Sequence, residues 1–156
     1  MNEPVPKRTA EKVSQSIDDK TLRQFVGYGL KRAFNRIQSD LAQTLKVYEL
    51  RMLTYTALVL IIDNPGLRQS QLADAMDIER PNLVLVIDEL EQRGLIFRDK
   101  VPSDRRAHAL KATLAGQRLY EQAVAAVIAH EEKLLKGIDE NERAQILATL
   151  SRIERS

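Results

Sequence analysis

Apolar residues recur every three or four positions at Leu22, Val26, Leu30, Ala33, Ile37, Leu41 and Leu45. That spacing predicts one long helix with a single apolar face, opened by Asp18 or Asp19 as its N-cap. Such a length exceeds the usual globular helix, and a long helix at a chain end often packs on a partner subunit. From Arg51 to Asp63 the pattern changes: Leu53, Ala57, Leu58, Leu60 and Ile61 leave almost no polar side, so a central, buried helix is predicted. The turn residues of "NPG", Asn64 to Gly66, end it. A short helix follows near Ser70 to Met76, then a break at "DIE", Asp77 to Glu79, then a helix over Arg80 to Arg93. Pro81 suits the first turn of that helix and Gly94 its C-terminal cap. "LIFRDK" and "HALKAT" then read as two short strands joined by "VPSDRRA". A long helix over Leu114 to Lys136 is stopped by Gly137, and Asp139 with Glu142 forms a capping box for a last helix through Ile146, Leu150 and Ile153. The first sixteen or so residues, polar and carrying Pro4 and Pro6, read as a mobile tail.

The expected fold class is therefore mainly α with a small two-stranded β-wing (α+β). Short helix, tight turn, second helix and hairpin make a winged helix-turn-helix, in which the second helix enters the DNA major groove. Stepping about 100° per residue puts Leu83, Val86, Ile87 and Leu90 on one inward face. Pro81, Leu85, Asp88 and Gln92 point the opposite way, with Asn82 and Val84 on the flanks. Arg80 and Asn82 at the tip fit base-edge contact, arginine to guanine and asparagine to adenine. Val84 and Leu85 are odd for solvent: they meet thymine methyl groups, or they are stray surface residues, or they pack on a neighbour. Asp88 and Glu89 would repel phosphates, which predicts that the far end of the helix tilts away from DNA.

Charge sharpens the picture locally. The 156 residues carry a formal net charge of only +2, with 44% apolar and 29% charged residues, the profile of a soluble globular protein. Between Arg98 and Arg118, however, six cations stand against two carboxylates. A thin arginine-tipped hairpin reaches phosphates or the minor groove, where negative potential is strongest. Asp104, beside Arg105 and Arg106, is placed to brace one of them through a charge-assisted hydrogen bond.

Other chemistry is thinly supplied. There is no cysteine, and there are only two histidines, His108 and His130. No thiol nucleophile, disulfide or multi-histidine metal site is expected. The "GYG" at Gly27 to Gly29 lacks the third glycine of a dinucleotide site, and "AHEEK" around His130 is not the zinc-protease spacing. No catalytic residue, cofactor or metal is expected, and the chain is not read as an enzyme. The absence of a leader-like apolar segment or a membrane-length run points to the cytoplasm and to no membrane partner.

Within this frame, "LADAMDI", the junction "LEQRGLI" and "DRRAHALKATLAG" resemble the MarR family of winged helix-turn-helix transcriptional regulators. The resemblance is close over about residues 50 to 120, and the flanking helices match in arrangement and length. It implies a homodimer, interlocked through its N- and C-terminal helices, on double-stranded DNA with a pseudo-palindromic operator. It implies a flexible tail over 1–17, an N-terminal dimerisation helix over 18–48, a winged DNA-binding domain over 49–113 and C-terminal dimerisation helices over 114–156. Arg105 and Arg106 match the wing's DNA-contacting pair, and Asp104 matches the signature acid. Arg80, Asn82, Val84 and Leu85 fall on the base-facing stretch. There the chain departs from the family, which often has serine, threonine and arginine where "PNLVL" stands.

The family's members commonly bind aromatic acids or acyl-CoA thioesters and then release DNA. Phe25, Gly29, Arg32 and Arg36 form a helical stripe, with Tyr28 beside it and Tyr55 in the buried helix. An aromatic and glycine floor flanked by two arginines suits an anionic aromatic effector. The same arginines also read as surface charges, and Gly27 and Gly29 as aids to close helix packing. Without cysteine, the peroxide-sensing branch does not fit. The expectation is a repressor released by such an effector. The rival is a helical protein–protein adaptor that uses the winged module, with Val84 and Leu85 as its contact patch and no DNA.

Overall fold

Among the described residues, a two-stranded sheet and six α-helices follow one another in the order expected. The computed structural model describes residues 17–101 and 104–156, with the backbone alone for residues 101 and 104–107. The expected tail therefore lies outside the described residues. After a single 3-10 turn at Leu22–Gln24 come α1 (Val26–Lys46), α2 (Met52–Asp63), α3 (Gln69–Met76), α4 (Arg80–Gln92), β1 (Ile96–Val101), β2 (Asp104–Ala112), α5 (Leu114–Leu134) and α6 (Glu140–Glu154).

The chain divides into two units, Met1–Phe34 and Asn35–Ser156, with the boundary inside α1. In the first, neither Asp18 nor Asp19 caps α1. The Asp19 carboxylate instead accepts from Arg23 Nε at 2.7 Å and from the Tyr28 hydroxyl at 2.7 Å, and the helix starts at Val26. The Arg23 guanidinium, and secondly the Tyr28 hydroxyl, hold the Asp19 carboxyl below its usual range.

In the second unit, α2 is the hub. Ala57, Leu58 and Ile61 are buried with Leu72 and Ala73 of α3, Leu83, Val86, Ile87 and Leu90 of α4, Ile96 and Leu110 of the sheet, and Ala123 of α5. Burial at that scale is what fixes short helices such as the eight-residue α3, too short to persist alone. Thr54, fully buried, is satisfied because its hydroxyl accepts from Arg51 N–H at 2.9 Å and donates to the Arg51 carbonyl at 3.0 Å. The expectation that α2 is apolar and enclosed all round needs one correction. Leu53 is exposed although its neighbour Thr54 is fully buried, so one side of the first turn of α2 is left uncovered among the described residues.

The strands pair antiparallel from Ile96 opposite Ala112 to Lys100 opposite His108, with a bulge between Lys100 and Val101. Gly94 takes the positive φ of 67° needed to turn from α4 into β1. At the other root of the hairpin, Thr113 caps α5. Its hydroxyl donates to the Gly94 carbonyl at 2.6 Å and accepts from Gly116 N–H at 3.0 Å, while Thr113 N–H donates to the Leu95 carbonyl. Gly116 lies so close to this junction that a β-carbon would stand 2.0 Å from the Leu95 oxygen. That explains the glycine three residues after the capping threonine. Gly137, expected to end α5, does not do so: the helix closes at Leu134, and α6 opens with the Asp139–Glu142 capping box, both bonds 2.9 Å.

Candidate nucleic-acid interface

Two short helices and a tight turn hold out one surface. Asp77 ends α3 in the left-handed region at φ 50°, Ile78 N–H bonds back to the Ala73 carbonyl, and Glu79 returns to extended backbone as the cap of α4. Pro81 sits in the first turn of α4, where no amide donor is lost. With Leu83, Val86, Ile87 and Leu90 buried, the opposite face is left free. Arg80, Asn82, Val84 and Leu85 are all exposed, Leu85 by 67%. The sequence-derived tip is therefore a single exposed patch. A guanidinium, a carboxamide and apolar side chains are the chemical types suited to guanine, adenine and thymine-methyl edges.

Beside it stands the hairpin. Asp104, Arg105 and Arg106 lie on β2. Their side chains fall outside the described residues, and so does the expected brace from Asp104. Farther down, Lys111 Nζ meets Asp99 Oδ2 at 2.7 Å across the strands, and this bond holds the Asp99 carboxyl below its usual range. Leu110 N–H donates to the Leu67 carbonyl at 2.8 Å, and Ala109 bridges Arg68, so the loop before α3 is stitched to the wing.

The carboxylates of α4 do not stand alone. Arg98, on β1, pairs with Asp88 through Nη2 and with Glu91 through Nη1 at 3.1 Å. Arg51 pairs with Glu89. Arg93 donates to the Glu49 carbonyl at 2.7 Å and to the Tyr48 carbonyl at 3.1 Å, tying the end of α4 to the corner between α1 and α2. Charge counting along the chain missed this. Arg98 and Lys111 belong to the local positive excess by sequence, yet both are engaged by carboxylates. A signal did exist: Asp88 and Glu91 are three apart on one helix face, with an arginine a short turn beyond.

The residues expected to hold an effector are placed less coherently. Phe25 is exposed, Tyr28 is taken up by Asp19, and Arg32 is exposed. The Asp19 hydrogen bond, then burial, raise the Tyr28 phenol above its ordinary value. These three lie in the first unit, and Arg36 and Tyr55 lie in the second. Arg36 pairs with Asp40 at 3.1 Å and lines an open cavity of about 470 Å³ with His130 and Lys133. Tyr55 packs half-buried on the core, and burial raises its phenol.

Among the described residues no cluster of three metal-ligating side chains occurs, and no helix is long and apolar enough to cross a membrane.

Comparison with known proteins converges on one group. Residues 50–108 match the MarR family. A Thauera aromatica protein assigned to transcriptional regulation of the hcr operon is 38% identical over 101 residues, covering 65% of this chain and 61% of that relative's length. The transcriptional repressor CouR, bound to a 23-mer DNA duplex, superposes with a TM-score of 0.85 at 34% identity, covering 89% of this chain and 99% of CouR. CouR from Rhodococcus jostii RHA1 bound to p-coumaroyl-CoA gives 0.77 at 33% identity, covering 90% and 95%.

Proposed function

The chain belongs to the MarR family, and from that premise we propose that it is a DNA-binding repressor, acting as a homodimer on a pseudo-palindromic operator. The observation that carries this reading is the exposed patch Arg80, Asn82, Val84 and Leu85 on a helix whose other face is fully enclosed. Arg80 and Asn82 read base edges, Val84 and Leu85 meet thymine methyls, and Arg105 and Arg106 take phosphate or the minor groove, with Asp104 as their support. The helices over 18–48 and 114–156 form the subunit interface. Exposed Leu30, Phe34 and Ile37 on α1, and Ile146, Leu147, Leu150 and Ile153 on α6, favour that assignment.

An anionic aromatic acid or its CoA thioester releases the DNA. The likeness to CouR, which binds p-coumaroyl-CoA, supports that class of effector, and the open cavity lined by Arg36, Asp40, His130 and Lys133 offers it room. The contribution of Phe25, Tyr28 and Arg32 rests on their spacing and residue types, and that of Tyr55 on its residue type and its place in α2. Release follows if the effector favours a spacing of the two reading helices that DNA does not accept, by a few kcal/mol.

The test is duplex binding against salt. A regulator that neutralises several phosphates loses on the order of a thousand-fold in affinity between about 50 and 200 mM salt. Arg105→Ala or Arg106→Ala should weaken binding to every duplex and flatten that slope by about one contact. Exposed Val84 and Leu85 favour a second reading, the protein–protein adaptor, which predicts no salt-dependent duplex binding at all.

A further inference from the structure

The second half of α4 carries Asp88, Glu89 and Glu91, an awkward set for a helix that approaches a polyanion. Repulsion alone would make each of them a liability. Their partners give them another role. Arg98 sits two residues after Ile96 on β1, so it shares the inward face of the strand with that buried residue while Phe97 and Asp99 face away. Just beyond the core edge its guanidinium spreads over one turn of α4, one Nη to Asp88 and the other to Glu91. A planar fork held by two carboxylates fixes direction as well as distance, which a lysine ammonium does not. Its side chain is 30% exposed, and those of its partners 42% and 36%. Pairs in that range add little to stability.

Their value is geometric. The α4–β1 turn fixes the root of the wing through Gly94 and the Leu95 N–H bond to the Leu90 carbonyl. Thr113 and the Leu110 N–H bond to the Leu67 carbonyl hold the β2 side of the hairpin, and Arg98 adds the side-chain tie from β1 directly to the face of α4. We propose that Arg98 is a positioning residue for duplex binding: gripping Asp88 and Glu91, it sets the angle between the wing and the reading helix and makes no phosphate contact of its own. The inference rests on the DNA-binding reading above and adds to it a role for the carboxylates that is opposite in sign to simple repulsion.

The test uses the full chain and a duplex containing its operator, with affinity measured over a series of salt concentrations for Arg98→Gln and for Asp88→Asn combined with Glu91→Gln. Backbone order parameters of β1 and β2 are measured without DNA. Arg98→Gln should lose ten-fold or more in affinity at every salt concentration with the slope unchanged. The carboxylate double variant should also bind several-fold more weakly, although it removes two negative charges from the reading helix. Both should lower the wing's order parameters while the thermal midpoint stays within a few degrees. The proposal is overturned if the double variant binds as tightly as the parent or tighter, or if Arg98→Gln flattens the slope by about one contact. Should the parent chain itself fail to bind duplex in a salt-dependent way, the DNA-binding reading falls and this one with it; in the other cases only the role of Arg98 falls.

Discussion

Helices α4 and α6 are written in nearly the same apolar rhythm and meet opposite fates. In α4, Leu83, Val86, Ile87 and Leu90 are all buried. In α6, Ile146, Leu147, Leu150 and Ile153 stay 39–64% exposed and no residue is buried. The periodicity says that each helix needs an apolar partner, but it does not say where the partner is. For α4 the partner is α2 and the sheet, within the same chain. For α6, among the described residues, nothing covers the stripe, and four such side chains on one short helix are more than a solvated surface usually carries. A second subunit is the cover that the proposed function supplies.

The sharpest way to break the contrast is to charge the exposed stripe. Ile146→Asp with Leu150→Asp should leave the α4 core intact yet yield monomers by light scattering, and duplex affinity should drop by a hundred-fold or more as the second half-site is lost. A chain that stays dimeric and binds normally would remove α6 from the interface. Trimming the enclosed stripe comes next: Ile87→Ala should cost about 2–5 kcal/mol in denaturant unfolding, through lost burial and an unfilled cavity. On the free face of the same helix, Asn82→Ala should leave stability unchanged and cost about 1–3 kcal/mol at one base pair per half-site. A binding-site selection that returned an unaltered consensus would show that Asn82 does not read bases. The smallest effect belongs to the wing's cross-strand pair. The Asp99 carboxyl, held low by Lys111, contributes to the folded state above its unfolded value and loses that contribution as pH falls through its lowered folded value. Titrated by NMR, Lys111→Met should move the Asp99 midpoint back up toward the ordinary carboxylate value of 3.8.

Much of this architecture is legible in the residues, and the gaps have physical causes. The ends of α4 are marked by Pro81 and Gly94, whose backbone limits leave few alternatives, and its buried face follows from period alone. The Asp139–Glu142 box is equally local, and it forms as expected. Where a side chain has a choice of partners, proximity along the chain misleads. Asp19 is well placed to cap a helix, yet an arginine and a tyrosine win it, and α1 starts later. Arg98 belongs to a basic run by sequence and to two acids by geometry. Arg51 and Glu89 meet across 38 residues of chain, a pairing that no local pattern encodes. The exposed tip of α4 was readable because exposure is the complement of burial. An effector site built from several elements has no single period to betray it: helical spacing linked Phe25, Arg32 and Arg36 with Tyr28 beside them, and residue type added Tyr55 from another helix.

The crowding at Gly116 has a mechanical consequence. The carbonyl of Leu95 presses on the first turn of α5 while the same residue roots the hairpin, and Thr113 pins both sides. The finger and the long rod behind it thus turn on a common axle with no slack between them. A tilt at the first turn of α5 therefore carries the base of the finger with it.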